Sequence, residues 1–376
     1  MRVTHMLRGA SVVALCAGFA FGQQAMTETE ARDVLARGKA ALEQDPSLAF
    51  MPNQVLVRFT RDEAPLRQAA LDIVGGRLIR TLKGTDVQHL EVAMPVDEAV
   101  KLLSALPFVD YAEPDYVVRA DASSNDTYIG LQWGLNNTGQ DIRGVLGTPD
   151  ADIDGFEAWD VRTNASGVVV AIIDSGTQWD HPDLDGNIWS NSDEIAGNGV
   201  DDDGNGFVDD TRGWDFYSND NNPDDGDGHG THTAGTVGAE GNNGAGVAGV
   251  CWDVQLMPLR FLGPFGGSTS DAVEAVNYAV ANGARISNNS WGGGGFSTSL
   301  YNAIANAGSQ NHLFVAAAGN DGVNTDNSAH YPSSYDLGNI ISVAATDNRD
   351  GRASFSNYGS TTVDLGAPGV DIASTY

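Results

Sequence analysis

The chain has 376 residues, 41% hydrophobic and 19% charged, ordinary values for a globular protein and enough for a large domain with a smaller companion. Its 50 acidic residues against 20 basic ones give a formal charge of -30. That balance argues against nucleic acid and anionic membrane surfaces as partners and suits solubility or cation binding.

Taken in chain order, Arg2 and Arg8 precede the apolar run Ala10 to Phe21, with small residues at Ala20 and Gly22. Residues 1–22 read as a secretory signal peptide, since the run is shorter than the ~20 residues a membrane span needs. Leu15 ahead of Cys16 is too bulky for a lipoprotein cleavage site, so simple export is expected, with no membrane attachment after cleavage. Cleavage removes one of the two cysteines and leaves Cys251 without a pairing partner in this segment. Without disulfides another staple is needed, and bound metal is the obvious candidate.

Residues 51–119 read as a compact module. Val55 to Phe59 and His89 to Val92 have strand character, while Ala64 to Val74 and Val96 to Leu106 carry apolar residues at helical spacing. The order strand, helix, strand, strand, helix, strand predicts a small α+β, ferredoxin-like unit with an antiparallel sheet. It closes at Tyr111-Ala112-Glu113-Pro114-Asp115-Tyr116.

A polar linker, 120–127, leads to a second domain, 128–376. Apolar runs at Val168 to Ile173, Leu313 to Ala317 and Ile340 to Ala344 lack alternation, as strands covered on both faces do. Ala272 to Val280 has helical spacing, and Gly283 is placed to end it. Alternating strands and helices predict an α/β fold: a doubly wound, mostly parallel sheet with helices on both faces. Functional residues in such sheets gather at the carboxyl ends of the strands.

Asp174 directly follows the first buried run, where a carboxylate needs a charged or hydrogen-bonding partner. His229 comes 55 residues later, in Asp227-Gly228-His229-Gly230-Thr231-His232-Thr233-Ala234-Gly235. Small residues after it let a helix start in tight contact with its surroundings. An Asp that accepts from one ring nitrogen frees the other as a general base. His229 and His232, three apart, could instead share a metal, but zinc-protease helices space their His pair four apart around a Glu. Asn320, in Ala316-Ala317-Ala318-Gly319-Asn320-Asp321-Gly322, either aims its amide at a developing oxyanion or simply forms a turn.

Between Asp193 and Asp227 lie twelve acidic residues and one basic, Arg212. Asp201, Asp203, Asn205 and Asp209 stand at alternate positions around Gly206, in the register of an EF-hand-like calcium loop. Arg212 stands where the closing Glu would be. Without a cation so many carboxylates would repel one another, although a solvated acidic loop is the plainer alternative.

Together these motifs resemble those of the subtilisin-like serine proteases, over about Asp126 to Tyr376. The resemblance implies that Asp174 and His229 are the acid and base of a triad, that His232 is structural, and that Asn320 serves the oxyanion hole. Ser290-Trp291-Gly292 resembles the segment that pairs with a bound peptide backbone. Asp183 and Asn243 resemble family calcium ligands, and Asp126 the N-terminal ligand of that same site; Ca²⁺ suits such oxygen-only ligands. The 51–119 module resembles the family's inhibitory propeptide. The family's Gly-Thr-Ser-Met-Ala nucleophile motif does not occur, and the chain stops shortly before its expected place. The nucleophile is therefore expected beyond Tyr376, and these residues alone are expected to be inactive.

The resemblance implies a secreted (extracellular or cell-envelope) calcium-stabilised endopeptidase. It would act as a monomer on protein or peptide substrates, with its own propeptide as inhibitor. Two other readings remain: a non-catalytic, calcium-dependent adhesion protein on the same fold, and a sedolisin-type carboxyl protease. His229 argues against the second, whose base is a Glu.

Overall fold

The computed structural model describes residues 26–44, 48–61, 63–118 and 123–376. The expected signal peptide at 1–22 and the first part of the expected linker lie outside the described residues. The chain divides into two units at the boundary between residues 119 and 120. Among the described residues no helix is long and apolar enough to cross a membrane.

The first unit runs α1 (Glu28–Gln44), β1 (Phe50–Phe59), α2 (Ala64–Val74), β2 (Arg77–Thr81), β3 (Val87–Glu91), α3 (Val96–Ser104), β4 (Val109–Tyr116). Its sheet is antiparallel, in the order β2-β3-β1-β4. Val55, Val57 and Leu90 pack against Leu71 and Val74 of α2 and Leu103 of α3, so the helical and strand periods meet in one core. The sequence reading did not anticipate α1. Its start is a reciprocal capping box: Glu30 N donates to Thr27 Oγ1 at 3.3 Å and Thr27 N to Glu30 Oε2 at 2.8 Å.

The second unit opens with a short hairpin, β5 (Asp141–Ile142) and β6 (Val145–Leu146), then α4 (Gly155–Val161) and β7 (Asn164–Asp174). There follow β8 (Trp214–Asp215), α5 (His229–Gly238), β9 (Asp253–Arg260), α6 (Thr269–Ala281) and β10 (Ile286–Asn289). The chain continues through α7 (Thr298–Ser309), β11 (Leu313–Ala317), β12 (Ile340–Thr346) and β13 (Leu365–Pro368). Seven strands make one sheet, β13-β12-β11-β10-β7-β9-β8, and every neighbouring pair is parallel.

The apolar run of β7 is explained by helices on both faces. Ala171 and Ile173 share a cluster with Ala275 of α6 and Ile304 of α7, whereas Val170 and Ile172 share one with Ala234 of α5. Burying a side chain such as Ile172 or Ile173 completely contributes about 1.5–3 kcal/mol. Helix α6 begins where Ser268 Oγ accepts from Asp271 N at 3.1 Å, and the chain leaves it through Gly283 at φ +81°.

The path that places the site follows from this order. From β7 the chain moves to β9 on one side, then crosses to β10 on the other, so the strand order reverses at β7. Crevices outside the carboxyl ends of strands at such a reversal are where doubly wound folds bind their ligands.

Candidate active site

Asp174 is the last residue of β7 and its side chain is fully buried. Its Oδ1 lies 2.7 Å from His229 Nδ1 and also accepts from Ser175 N at 2.7 Å. Oδ2 accepts a longer bond, 3.4 Å, from Thr233 Oγ1. An ionised carboxylate can only accept, so Nδ1 carries the proton and Nε2 of a neutral ring keeps its lone pair. The bond to Asp174 raises the His229 pKa above its usual range against the opposing effect of burial, and the charges of Asp174, Asp227 and Asp225 add to the rise. The imidazole is still 49% exposed, which leaves it open to an incoming group.

Close approach of α5 to the end of β7 makes this pairing possible. A Cβ on Gly230 would stand 1.9 Å from the carbonyl oxygen of Gly176, so only glycine lets the helix settle there. Asp225, which the sequence reading passed over, fixes the junction. Its Oδ1 accepts from Ser175 Oγ, Asp227 N and Gly228 N at 2.9 Å each, and its Oδ2 from Thr231 N at 2.7 Å. Ser175 Oγ in turn accepts from Gly230 N at 2.9 Å. Burial opposes its charge, yet hydrogen bonds from Thr231, Gly228 and Asp227 hold Asp225 below the usual carboxylate range. An acidic residue just ahead of a helix start was the available signal. His232 Nε2 meets the Ile372 carbonyl oxygen at 3.1 Å, away from Asp174.

Parallel strands end on the same edge, so β10 and β11 deliver two more predicted groups beside β7. Asn320 lies three residues past β11, is exposed, and its side chain makes no hydrogen bond among the described residues. Ser290, Trp291 and Gly292 directly follow β10. Trp291 is anchored edge-on against Phe261 and Phe314, with ring centroids 4.8 and 6.1 Å away. Ser290 Oγ accepts from Asn288 Nδ2 at 3.1 Å.

The acidic loop gathers a different set of carboxylates from the one its spacing indicates. Glu194, Asp203 and Asp210 offer oxygens within 4.8 Å of one another. Asn205 lies beside them, its Nδ2 donating at 2.9 Å to both Asp203 and Asp210. Asp201 turns to the N–H groups of Asn205 and Gly206, and Asp209 to those of Asn198 and Gly199. Asp210 is fully buried, and burial pushes its carboxyl above the usual range, although Tyr278, Asn205 and Asn191 hydrogen-bond to it. Three convergent carboxylates, two of them buried, fit a hard cation that takes oxygen ligands. No loop spacing could have found Glu194, which stands seven residues ahead of Asp201.

Asp126, Asp183 and Asn243 are also brought together. Asn243 N donates to Asp126 Oδ1 and its Nδ2 to Asp183 Oδ1, each at 2.9 Å. Asp126 Oδ2 accepts from Asn242 N at 2.7 Å and from Ser124 Oγ. Both Asp126 oxygens are engaged by protein N–H and O–H groups, as are those of Glu194, Asp203 and Asp210, but here only two carboxylates converge.

Residues 165–376 match the profile of the subtilase family, and residues 36–115 that of the fervidolysin N-terminal prodomain. The chain is 40% identical to a thermophilic serine proteinase of Bacillus sp. (strain AK1), over 87% of this chain and 72% of that protein. It is 36% identical to an extracellular protease of Xanthomonas campestris pv. campestris, over 80% of this chain and 51% of that one. Against thermitase of Thermoactinomyces vulgaris the identity is 38%, over 58% of this chain and 69% of the relative.

Proposed function

Because the chain belongs to the subtilase family of serine peptidases, we propose that it is part of a secreted, calcium-stabilised endopeptidase whose nucleophilic serine follows Tyr376. The observation that carries this reading is the 2.7 Å bond between buried Asp174 and half-exposed His229 at the carboxyl end of β7. His229 Nε2 removes the serine proton as the hydroxyl attacks a peptide carbonyl, and later returns it to the leaving amine. Asp174 holds the tautomer and stabilises the imidazolium that forms. Asn320 donates its free amide to the oxyanion, and Ser290 to Gly292 pair with the substrate backbone. The matched prodomain supports an intramolecular inhibitor, and the likeness to the extracellular protease of Xanthomonas supports export. Calcium held by Glu194, Asp203 and Asp210, with Asn205 beside them, supplies rigidity and no chemistry.

A fluorophosphonate probe applied to the protein expressed from its complete reading frame tests the reading. Covalent labelling is expected, and His229→Ala should abolish it. A folded protein that stays unlabelled overturns the proposal and leaves a calcium-dependent binding protein as the better account.

Two further outcomes follow from the same geometry. Asn320→Ala is expected to lower kcat about 10²–10³-fold with little change in KM, the loss known for subtilisin's own oxyanion Asn and taken over from that family member. A fall in affinity with kcat intact would instead mark Asn320 as a binding residue. The base must be neutral to act, and its pKa is raised, so activity is lost from a higher pH downward than for an ordinary His. The acidic limb of kcat/KM should therefore lie above about 6.5. A limb at or below that value contradicts the Asp174–His229 coupling.

A further inference from the structure

Asn320 stands on the loop that leaves β11, and a donor meant for a developing oxyanion must be in place before the charge appears. Its side chain is exposed and makes no hydrogen bond among the described residues. Its direction is therefore set by its backbone alone. That backbone is gripped by Asn357, a fully buried side chain from the segment after β12.

Asn357 bonds the loop on both sides of Asn320. Its N–H donates to the Gly319 carbonyl oxygen at 2.8 Å, and its Nδ2 to that of Ala318 at 2.9 Å. Its Oδ1 accepts from Asp321 N at 3.0 Å and from Val323 N at 3.1 Å. The pattern also fixes the two ends of the amide: turned over, Nδ2 would face two N–H groups and Oδ1 a carbonyl. Contact is close enough to dictate the residue before Asn320. Gly319 has φ +103°, and a Cβ there would stand 2.4 Å from Asn357 Nδ2.

Asn357 is itself moored to the sheet. Ser356 Oγ donates to the Asn357 carbonyl oxygen at 3.0 Å and accepts from Ala345 N of β12 at 2.8 Å. Backbone bonds close the same seam, from Gly322 N to the Phe355 carbonyl at 2.7 Å and from Tyr358 N to that of Val323 at 3.1 Å. The Asn320 loop is thus fixed from two strands, β11 by continuity and β12 through Asn357.

We propose that Asn357 is the positioning residue of the oxyanion donor: it sets the backbone of Asn320 so that the free amide already points to where the oxyanion forms. It does so without touching substrate. This inference rests on the proteolytic reading above, because only that reading gives Asn320 an oxyanion to meet.

The test compares wild type, Asn320→Ala, Asn357→Ala and the double variant, each expressed from the complete reading frame, by kcat and KM on a peptide p-nitroanilide and by Tm. A group misplaced by about 1 Å costs about 100-fold, so Asn357→Ala is expected to lower kcat about 10–100-fold while KM changes less than about 3-fold. A peptide aldehyde, whose adduct carries an oxyanion, should bind more weakly by the same factor as kcat falls. In the Asn320→Ala background the substitution should change kcat by less than about 2-fold, because no donor remains to be aimed. The same fold-loss in both backgrounds, or a lower Tm with kcat intact, overturns the inference and leaves Asn357 a residue of the fold only. Asn357→Asp keeps the bonds accepted from Asp321 and Val323 and gives up the Nδ2 donor; it should fall between wild type and Asn357→Ala, and it carries the same comparison where the alanine variant does not fold. Wild-type protein that neither cleaves the substrate nor takes the fluorophosphonate instead removes the proteolytic reading and this inference with it.

Discussion

Asp174→Asn is expected to lower kcat about 10⁴-fold in the serine-bearing protein, a magnitude established for the same exchange in an unrelated serine-protease fold. The cause is local. An amide in place of the carboxylate can offer His229 Nδ1 a donor, which favours the tautomer with its proton on Nε2, and it no longer stabilises the imidazolium. Ser175 N shares Oδ1 with His229 Nδ1, so an amide nitrogen at that position also gives up the Ser175 bond, and the fold has to be checked beside the activity. The measurement is kcat on a peptide ester, with circular dichroism and Tm confirming an intact fold. Whatever activity remains should have its acidic limb at lower pH, because the bond that raised His229 is gone. A loss smaller than about 100-fold, far short of that magnitude, would remove Asp174 from the triad.

Stripping calcium should produce the second large effect. A ligand present at 1,000 times its Kd stabilises the folded state by about 4 kcal/mol. For a unit of this size, that corresponds to a Tm change on the order of 10 °C. EDTA is expected to lower Tm by that amount and added Ca²⁺ to restore it. Asp203→Asn should remove most of the restoration, since it takes one formal charge from the group formed with Glu194 and Asp210. An unchanged Tm in EDTA would mean that the three carboxylates meet without a cation. Substitution of Asp126 is expected to act differently: its oxygens tie Asn242, Asn243 and Gly244 N–H groups directly, so it should destabilise the protein with or without calcium.

Much of the fold was readable because strand and helix periods are local properties. The unbroken apolar run through Ile172 and Ile173 announced a strand covered on both faces, and the parallel sheet supplies the helices that cover it. The first unit's strand and helix order was equally legible, whereas α1 was missed although Thr27 and Glu30 spell its capping box. Within the acidic loop, spacing indicated a ring of ligands from one segment. The fold instead assembled Glu194 from outside that segment with Asp203 and Asp210, and used Asp201 and Asp209 to hold loop N–H groups.

By itself the sequence determined the class of protein and its two units, and it singled out Asp174, His229, Asn320 and a surplus of carboxylates as candidates. Those follow from local pattern and from motifs whose members lie close along the chain. Only the tertiary structure decided which groups meet across long separations: Asp225 at the junction of β7 and α5, Glu194 beside Asp210, and Asn357 against the loop of Asn320. The physical reason is that burial, hydrogen-bond direction and backbone clearance are fixed by packing between elements, and no spacing along the chain encodes them.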